Sequence, residues 1–391
     1  MITTTINNTP IKLWVRTLDV HAWKEVCDLA SLPFVFNHIA LMPDAHGGKG
    51  MPIGGVLATK NVVIPNAVGV DIGCGMCAVK SNLNIHDISQ EILRKQILRG
   101  IRKRIPLGMA RHKVIQDEQL MPQGFEIDAM SVIKRQYNSA LKQLGTLGGG
   151  NHFIELQRDA EDHLWIMIHS GSRNLGKLVC DYYNEKATVL NRHWYSSVEP
   201  EKQLAFLPAY VPEFHEYWRE MEYCTAFALA NRKLMMNRIM EVIADTFTHT
   251  EFEPMINIAH NYAAWENHFG ENVVVHRKGA VRAGLGDIGI IPGSQGSHSY
   301  IVEGLGNPDS YMSSSHGAGR KMSRTEAVRC LSLQEEIARL ESQQIVHAIR
   351  NTSDLEEAAG AYKDIDEVME CQSDLVKIKT VLFPIAVIKG N

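Results

Sequence analysis

The sequence predicts a protein that mixes strands and helices within one folding unit. Residues 38–83 are rich in β-branched residues and glycine, which is typical of short strands joined by tight turns. Residues 196–250 instead carry apolar side chains at spacings of three, four and seven, the period of a buried helix face. The candidate ligating residues described below run from residue 71 to residue 316, which favours one unit over several domains.

Composition and charge narrow the class of protein. The chain has 391 residues, 45% of them hydrophobic and 21% charged, enough for a large core. Its net charge of −4 gives no overall attraction to nucleic acid, so such binding would depend on local basic patches. The seven cysteines are mostly scattered and odd in number, which favours a reducing compartment. With no secretion signal and no apolar run long enough to span a bilayer, we expect a cytoplasmic protein.

Within the first strand-rich block, two glycine-rich stretches carry polar side chains. Residues 43–50 (PDAHGGKG) are predicted to form a turn whose backbone amides can approach a ligand. Residues 69–76 (GVDIGCGM) place Asp71 and Cys74 three residues apart among glycines. Such a pair suits a divalent transition metal, and a thiolate can bridge two metals. The alternative is a strand that ends in a glycine turn with a small buried cysteine. Cys77 is interpreted as structural.

Residues 85–113 are predicted to be helical and contain a dense basic run. Such runs are commonly solvated helix faces. A contact with a phosphate backbone is the alternative, because this segment is strongly basic in a chain that is acidic overall.

Three further segments each deliver a histidine to the edge or end of a predicted strand. His152 follows a glycine run and precedes an extended segment, His169 follows the strand at 164–168, and His260 follows the strand at 255–259. A single histidine in such a place is usually a hydrogen-bonded core residue. Three at matching positions, beside the Asp71 and Cys74 pair, predict a cluster with room for two metal ions.

The second half of the chain is predicted to begin with a helical insertion at 196–250, followed by another block of strands and turns from residue 273. His316 lies among small residues that would let a large substrate reach the imidazole, as a nucleophile requires. Capping-box patterns beginning at Ser323, Ser332 and Ser353 predict helices, and residues 381–388 predict a closing strand.

The motifs, taken together and in order, resemble the RtcB family of GTP-dependent RNA-splicing ligases over essentially the whole chain. The matching stretches are PDAHGGKG, GVDIGCGM, LGGGNHFIE, HSGSR, AHNY, RKGAV, IIPGS, SSSHGAGR, AYKDIDEV and VIKG. The resemblance implies an α+β fold: a single RtcB-like domain, 1–391, with a β-rich core that carries the metal site, helices around it and the insertion at about 196–250. The first loop reads Ala-His-Gly where many relatives have Val-His-Leu, and region 100–135 also differs in composition.

The resemblance also implies the residues of the site. Two Mn²⁺ ions would be held by Asp71 and His152 on one side and by His169 and His260 on the other, with Cys74 as the bridge. His316 would be the catalytic nucleophile that carries GMP, and Arg173 a phosphate contact. Glu155 and Lys389 would bind the guanine edge. The residues matching the guanylate and cofactor pocket are Asn151, His152, Phe153, Ile154, Glu155, His260, Asn261, Pro292, Gly293, Ser294, Gln295, Ser299, His316, Gly317, Ala318, Gly319, Tyr362 and Lys389.

The activity implied by the resemblance is a GTP- and Mn²⁺-dependent ligation, in tRNA splicing or RNA repair. RNA ends bearing a 3′-phosphate or 2′,3′-cyclic phosphate would be joined to 5′-hydroxyl ends through a histidine–GMP intermediate and an RNA(3′)pp(5′)G end. The resemblance leaves open a requirement for an activating protein partner. Two alternatives use the same metal ligands: a dinuclear metallohydrolase such as a phosphodiesterase, and a catalytically silent RNA- or ribosome-binding protein. Only the ligase gives roles to His316, Glu155 and Lys389.

Overall fold

A computed structural model of the chain describes residues 1–390, which form an α+β structure built around two large sheets. The strands β1 to β17 are, in order, Ile2–Ile6, Thr9–Leu13, Val35–Lys49, Met51–Thr59, Val62–Val63, Gly75–Asn84, Phe153–Arg158, His163–Ser170, Leu207–Pro208, Ile256–Ala259, Asn261–His268, Glu271–Lys278, Ala280–Arg282, Ile288–Ile291, Ser299–Gly304, Ser313–Ser315 and Val376–Lys389. The predicted fold class is confirmed.

The helices lie around these sheets. Helices α1 to α10 are, in order, Val20–Ala30, Pro65–Val68, Gln90–Ile92, Arg99–Arg104, Ser131–Gln143, Asn174–His193, Pro212–Thr246, Arg324–Cys330, Leu333–Ser342 and Ile365–Glu370. A π-helical stretch, Leu93–Leu98, joins α3 to α4, so these three pieces form one continuous helix. In the described residues, no helix is long and apolar enough to cross a membrane.

The two sheets differ in strand order, and residues of both line the same cavity. The six-stranded sheet has the order β1-β2-β3-β4-β12-β11, in which only the β2–β3 pair is parallel. The seven-stranded sheet has the order β10-β6-β8-β7-β17-β15-β14 and is antiparallel throughout. The cavity described below is lined by residues of β3, β4 and β12 from the first sheet and of β7, β8 and β17 from the second.

Helix α7 shows why the predicted insertion is part of the core. Its apolar stripe, which includes Met221, Cys224, Met235 and Ile239, is fully or almost fully buried. The helix packs against β6, β8 and β10 of the seven-stranded sheet and against α6. The rest of residues 196–250 holds the short 3₁₀ turn Pro200–Lys202 and β9.

Three local predictions are wrong. Residues 43–49 do not form a turn but continue β3, whose pairing with β4 shifts register on either side of His46, and the chain reverses at Gly50. The helix predicted to reach residue 113 ends at Arg104, because Pro106 cannot continue it. The third capping box forms with Asn351 as its cap rather than Ser353, which lies inside the 3₁₀ helix Thr352–Glu357.

Candidate active site

One end of the seven-stranded sheet brings the predicted ligands together. Phe153 in β7 pairs with His169 in β8 and with Lys389 in β17. Strand β10 reaches the same level, because Ala259 pairs with Gly75 at the start of β6. Residues far apart in sequence therefore meet at adjacent strand ends. The predicted site residues at or beside these ends are Cys74, His152, His169, His260 and Lys389.

A tight glycine turn sets the positions of Asp71 and Cys74. The amide of Cys74 donates to the carbonyl of Asp71 at 3.0 Å. Gly69 and Gly73 have φ values of 92° and 76°, a conformation that favours glycine. A β-carbon on Gly73 would also lie 2.7 Å from the Cα of Thr225 in α7. Glycine at position 73 therefore allows both the turn and the close approach of the helix.

The five predicted ligands form two adjoining groups that share Cys74. In the first group, His152 Nε2 lies 3.0 Å from Asp71 Oδ2 and 3.4 Å from Cys74 Sγ. In the second, His169 Nε2 lies 3.2 Å from Cys74 Sγ and 3.4 Å from His260 Nε2. Such separations are those expected between atoms that each bind one ion at about 2.0–2.3 Å.

The chemistry of this cluster suits a divalent transition metal. Cys74, His152 and His169 are buried, and their donor atoms lie within 4.8 Å of one another. Burial, reinforced by neighbouring imidazoles, lowers the pKa of His169 and of His260 well below its usual value, so both rings are neutral. His169 Nδ1 donates to the carbonyl of Asn151 at 3.2 Å, which leaves its Nε2 lone pair directed at the cluster. Thiolate, neutral imidazole and carboxylate are the donors that such metals bind.

A buried arginine holds the backbone around the cluster. Arg232, in the middle of α7, has no exposed surface. Its guanidinium donates to the carbonyls of Ser170 at 2.7 Å, Gly73 at 2.9 Å and Ile258 at 3.2 Å, and to Asn257 Oδ1 at 2.8 Å. The three carbonyls lie one or two residues from three of the predicted ligands: Cys74, His169 and His260.

The neighbouring residue, Asn231, binds the segment that precedes His152. Its Oδ1 accepts from the amides of Gly145 and Thr146 at 2.7 and 3.0 Å. Its Nδ2 donates to the carbonyls of Thr146 at 3.2 Å and Gly171 at 3.1 Å. These contacts link the glycine run that precedes His152 to the end of β8. Asn231 and Arg232 together therefore fix the backbone that carries all three histidines and the cysteine.

His316 lies beside the cluster with one ring nitrogen already engaged. Its Nδ1 donates to Asp44 Oδ2 at 2.6 Å, and its backbone amide donates to the same oxygen at 3.0 Å. Asp44 is fully buried in the irregular part of β3. The centre of the His316 ring lies 4.8 Å from that of His260. Asp44 thus selects the tautomer in which the lone pair of His316 is on Nε2.

Glu155 and Lys389 are two titratable groups that interact electrostatically within the site, Glu155 buried and Lys389 half-buried at the cavity wall. Burial raises the pKa of Glu155 to about 8, although Gln157 and Lys389 oppose the shift. Burial lowers the pKa of Lys389 to about 8, opposed by Glu357 and Glu155. Gln157 donates from Nε2 to Glu155 at 2.5 Å and to Ser299 Oγ at 2.9 Å. Because burial disfavours the charged form of both groups, each needs polar partners to hold a charge, and a ligand can supply them.

Glu357 organises the wall between this pair and His316. Its carboxylate accepts from Arg324 Nε at 2.7 Å, from Arg320 Nη1 at 3.3 Å and from the hydroxyl of Tyr362. Burial alone would raise the pKa of Glu357, but Lys389, the Tyr362 hydroxyl and the two arginines bring it below its usual value. The two guanidinium groups are therefore held at the cavity wall by one buried carboxylate.

The cavity that joins these parts has a volume of about 740 Å³. The predicted residues that line it are Asp71, Cys74, Asn151, Phe153, His169, His260, Asn261, Pro292, Gly293, Ser294, Gln295, His316, Gly317, Ala318, Gly319, Tyr362 and Lys389. His152, Glu155 and Ser299 lie behind this lining, in contact with residues of the site. Ile154 differs, because its side chain packs in the hydrophobic core.

The predicted phosphate contact, Arg173, is held close to Asp71. Its guanidinium donates to Thr146 Oγ1 at 2.9 Å and to the carbonyl of Gly108 at 2.6 Å. Its positive charge helps to lower the pKa of Asp71, after the larger effect of His152.

Sequence reasoning missed four residues of the site: Asp44, Asn231, Arg232 and Glu357. Asn231 and Arg232 on α7 could have been found from the sequence, because they fall on the apolar stripe between Ala228 and Met235. A charged residue on a buried helix face needs specific partners. Asp44 lies in the glycine-rich stretch 43–50, but its partner and that of Glu357 are set by the tertiary fold.

Comparison with known proteins gives a consistent result. The family model described as tRNA-splicing ligase RtcB matches residues 25–137 and 117–390. The chain is 37% identical over 408 residues to the RNA-splicing ligase RtcB of Escherichia coli strain K12, covering 99% of this chain and 98% of that protein. It is 33% identical to the RNA-splicing ligase RtcB of Mycobacterium tuberculosis, covering 94% of this chain and all of that protein. It is 30% identical to the tRNA-splicing ligase RtcB of Methanococcus maripaludis, with 97% and 93% covered.

Proposed function

This chain belongs to the RtcB family of RNA-splicing ligases, and we propose that it joins RNA ends in tRNA splicing or RNA repair. The ends would be a 3′-phosphate, or a 2′,3′-cyclic phosphate first opened to it, and a 5′-hydroxyl. GTP would supply the free energy by activating the 3′-phosphate. A site that depends on a cysteine thiolate requires a reducing compartment, which fits a cytoplasmic protein whose seven cysteines are all free.

The observation that carries this proposal is the Asp44–His316 pair. A nucleophilic imidazole must be neutral, with its lone pair directed at the phosphorus. Asp44 binds Nδ1 of His316 at 2.6 Å and so leaves Nε2 as the free nitrogen at the cavity wall. The carboxylate also stabilises the positive charge that develops on the ring as the N–P bond forms. In a metallohydrolase the same pair would act only as a general acid or base and would carry no covalent GMP, so covalent labelling distinguishes the two functions.

We assign the other end of the cavity to the guanine base. We assign Glu155 to accept hydrogen bonds from guanine N1 and N2, and Lys389 to donate one to O6. Phe153, whose ring centre lies 5.9 Å from Lys389 Nζ, lies at the same strand ends. Adenine offers the opposite pattern of donors and acceptors, so this pair would favour GTP over ATP.

The cluster of Asp71, Cys74, His152, His169 and His260 would hold two Mn²⁺ ions, with Cys74 shared between them. When bound, the ions would neutralise phosphate charge and stabilise the oxygens that attack and leave. The protein's part is to present neutral imidazoles and to fix the backbone around them. Arg173 lies beside Asp71, where it can bind a phosphate oxygen.

Three displacements at phosphorus would complete the reaction. His316 Nε2 forms a bond to the α-phosphorus of GTP and pyrophosphate leaves. An oxygen of the RNA 3′-phosphate then attacks the same phosphorus, which breaks the N–P bond, frees His316 and gives RNA(3′)pp(5′)G. Finally the RNA 5′-hydroxyl loses its proton and attacks the original 3′-phosphate, and GMP leaves.

Covalent labelling tests this proposal. The purified protein is incubated with Mn²⁺ and GTP labelled at the α-phosphate, then denatured and separated by electrophoresis. We expect labelled protein from the parent and none from His316→Ala, and no label from GTP labelled at the γ-phosphate. A hydrolase or a silent binding protein would stay unlabelled, and a labelled His316→Ala would rule out this histidine as the nucleophile.

A further inference from the structure

The basic run of the sequence forms a continuous exposed surface. Residues 92–116 contain eight lysines and arginines and no aspartate or glutamate, in a chain whose net charge is −4. The apolar side of the 90–104 helix, with Leu93, Ile97 and Ile101, is buried. The basic side chains on the other side are exposed: Arg94, Lys95, Arg99, Arg102 and Lys103.

Most of these charges are not neutralised by the protein. Lys95 pairs with Glu91, and the half-buried Arg104, at the end of the helix, pairs with Asp245. Within residues 1–390, no carboxylate forms an ion pair with the four others on the exposed side: Arg94, Arg99, Arg102 and Lys103. A solvated helix face normally intersperses charges of both signs. This one leaves a patch of one sign, which attracts a polyanion.

A cleft lies between this patch and the catalytic cavity. It has a volume of about 430 Å³, and its walls include Arg102, Arg350 and one carboxylate, Asp354, which accepts from the backbone amides of Arg350 and Asn351. Its lining also contains Gln295 and Lys389, which line the catalytic cavity as well. The cleft and the catalytic cavity therefore share lining residues, and Arg102 places the basic helix at the edge of the cleft.

Two more observations place positive charge around this cleft. Arg350 donates from Nη2 to the carbonyl of His347 at 3.2 Å, and the charges of Arg350 and Arg94 add to burial in lowering the pKa of the His347 imidazole, against the effect of Glu341. On the opposite side, the loop after the helix extends to the active site, because Gly108 accepts a hydrogen bond from Arg173 at 2.6 Å. The same loop carries two exposed basic residues, Arg111 and Lys113.

We propose that the surface formed by Arg94, Arg99, Arg102, Lys103 and Arg350 binds the phosphodiester backbone of the RNA strand whose end is in the active site. Arginine suits this role, since its fork of donors matches phosphate oxygens. The surface lacks the aromatic anchors typical of a protein-binding site, which favours RNA over an acidic protein. The inference rests on the proposed ligase function for the identity of the polyanion.

A four-fold substitution tests this surface: Arg94→Gln, Arg99→Gln, Arg102→Gln and Lys103→Gln in one protein. Glutamine preserves helix propensity, and the buried side of the helix is unchanged. The matched control removes the same charge from exposed residues on other elements that also form no ion pair in residues 1–390: Lys24→Gln, Arg192→Gln, Arg219→Gln and Lys377→Gln.

The measurement is the affinity for a short single-stranded RNA with a 3′-phosphate, without GTP, at salt concentrations between about 50 and 200 mM. Each phosphate contact on a single strand contributes about 0.7 to the slope of log affinity against log salt. In the four-fold variant we expect the magnitude of this slope to be smaller by roughly two to three and the affinity for RNA to be at least about tenfold weaker. The control should match the parent, and both variants should take label from GTP normally.

An unchanged slope in a variant that is still labelled by GTP would overturn the proposal. So would displacement of RNA from the parent by poly-glutamate at equal charge, because the surface would then bind any acidic chain. If the parent binds RNA but takes no label from GTP, the ligase function fails while the surface is still tested by the slope. The two failures are therefore distinguishable.

Discussion

The buried arginine of α7 gives a sharp test of how the metal cluster is built. Arg232 donates four hydrogen bonds, three of them to backbone carbonyls beside Cys74, His169 and His260. The substitution Arg232→Lys keeps the positive charge and most of the volume but replaces the fork with one ammonium. From a single point, that group cannot satisfy all four acceptors.

The size of the effect follows from these contacts. With about two acceptors left unpaired at roughly 1–3 kcal/mol each, the free energy of unfolding should fall by about 2–6 kcal/mol. For a chain of 391 residues, the unfolding entropy is about 0.8 kcal/mol/K, so the melting temperature should fall by about 2–7 °C. Because the strand ends are loosened, Mn²⁺ affinity should fall about 10- to 100-fold.

The assay compares Mn²⁺ content after dialysis with thermal unfolding in the same samples. The control is Glu220→Gln, a buried residue of the same helix that accepts from Val132, Ile133 and Tyr183 and has no contact with the cluster. It should lose stability but keep the parental affinity for Mn²⁺. If Arg232→Lys also keeps that affinity, the arginine serves only to pack the helix.

Three further predictions test individual groups. Asp44→Asn should slow the labelling of His316 by GTP about 10²- to 10⁴-fold without altering GTP affinity, since the charge that holds and stabilises the ring is lost; equal labelling rates would refute this role. GTP affinity should be highest near pH 8, because burial brings the pKa of both Glu155 and Lys389 to about 8 and binding needs Glu155 deprotonated and Lys389 protonated. When GTP affinity is measured across pH, Glu155→Gln should no longer lose affinity on the acid side. A variant with the same pH profile as the parent would contradict the assignment. Cys74→Ser should bind little Mn²⁺ in either position, because a neutral hydroxyl replaces the shared thiolate; two retained ions per chain would exclude the bridge.

The elements that position the site were largely predictable, because their local sequence agrees with the fold. The strand before His169, the strand before His260 and the closing strand all form where their composition indicates. The apolar period likewise indicated α7. The turn at 43–50 was mispredicted because glycines also occur in bulged strands, where they permit close packing.

The sequence did not indicate which residue each buried polar side chain would contact. Asp44 and His316 are 272 residues apart, and their contact depends on how β3 and the β13–β16 pair are arranged in the fold. Glu357 is likewise a carboxylate in a short helix until the fold brings Arg320, Arg324 and Tyr362 to it. Such contacts are a property of tertiary structure and leave no local pattern in the chain.

The most direct test of the ligase mechanism separates the role of His316 from that of the metal cluster. RNA already carrying a 3′-pp-5′-G end is mixed with a 5′-hydroxyl RNA and Mn²⁺, and the joined product is measured. We expect His316→Ala to join these strands as the parent does, although it fails on RNA with a plain 3′-phosphate and GTP, while Cys74→Ser joins poorly in both cases. If His316→Ala were as inactive as Cys74→Ser on the preactivated RNA, the histidine would act in the sealing step, and the proposed sequence of displacements would be wrong.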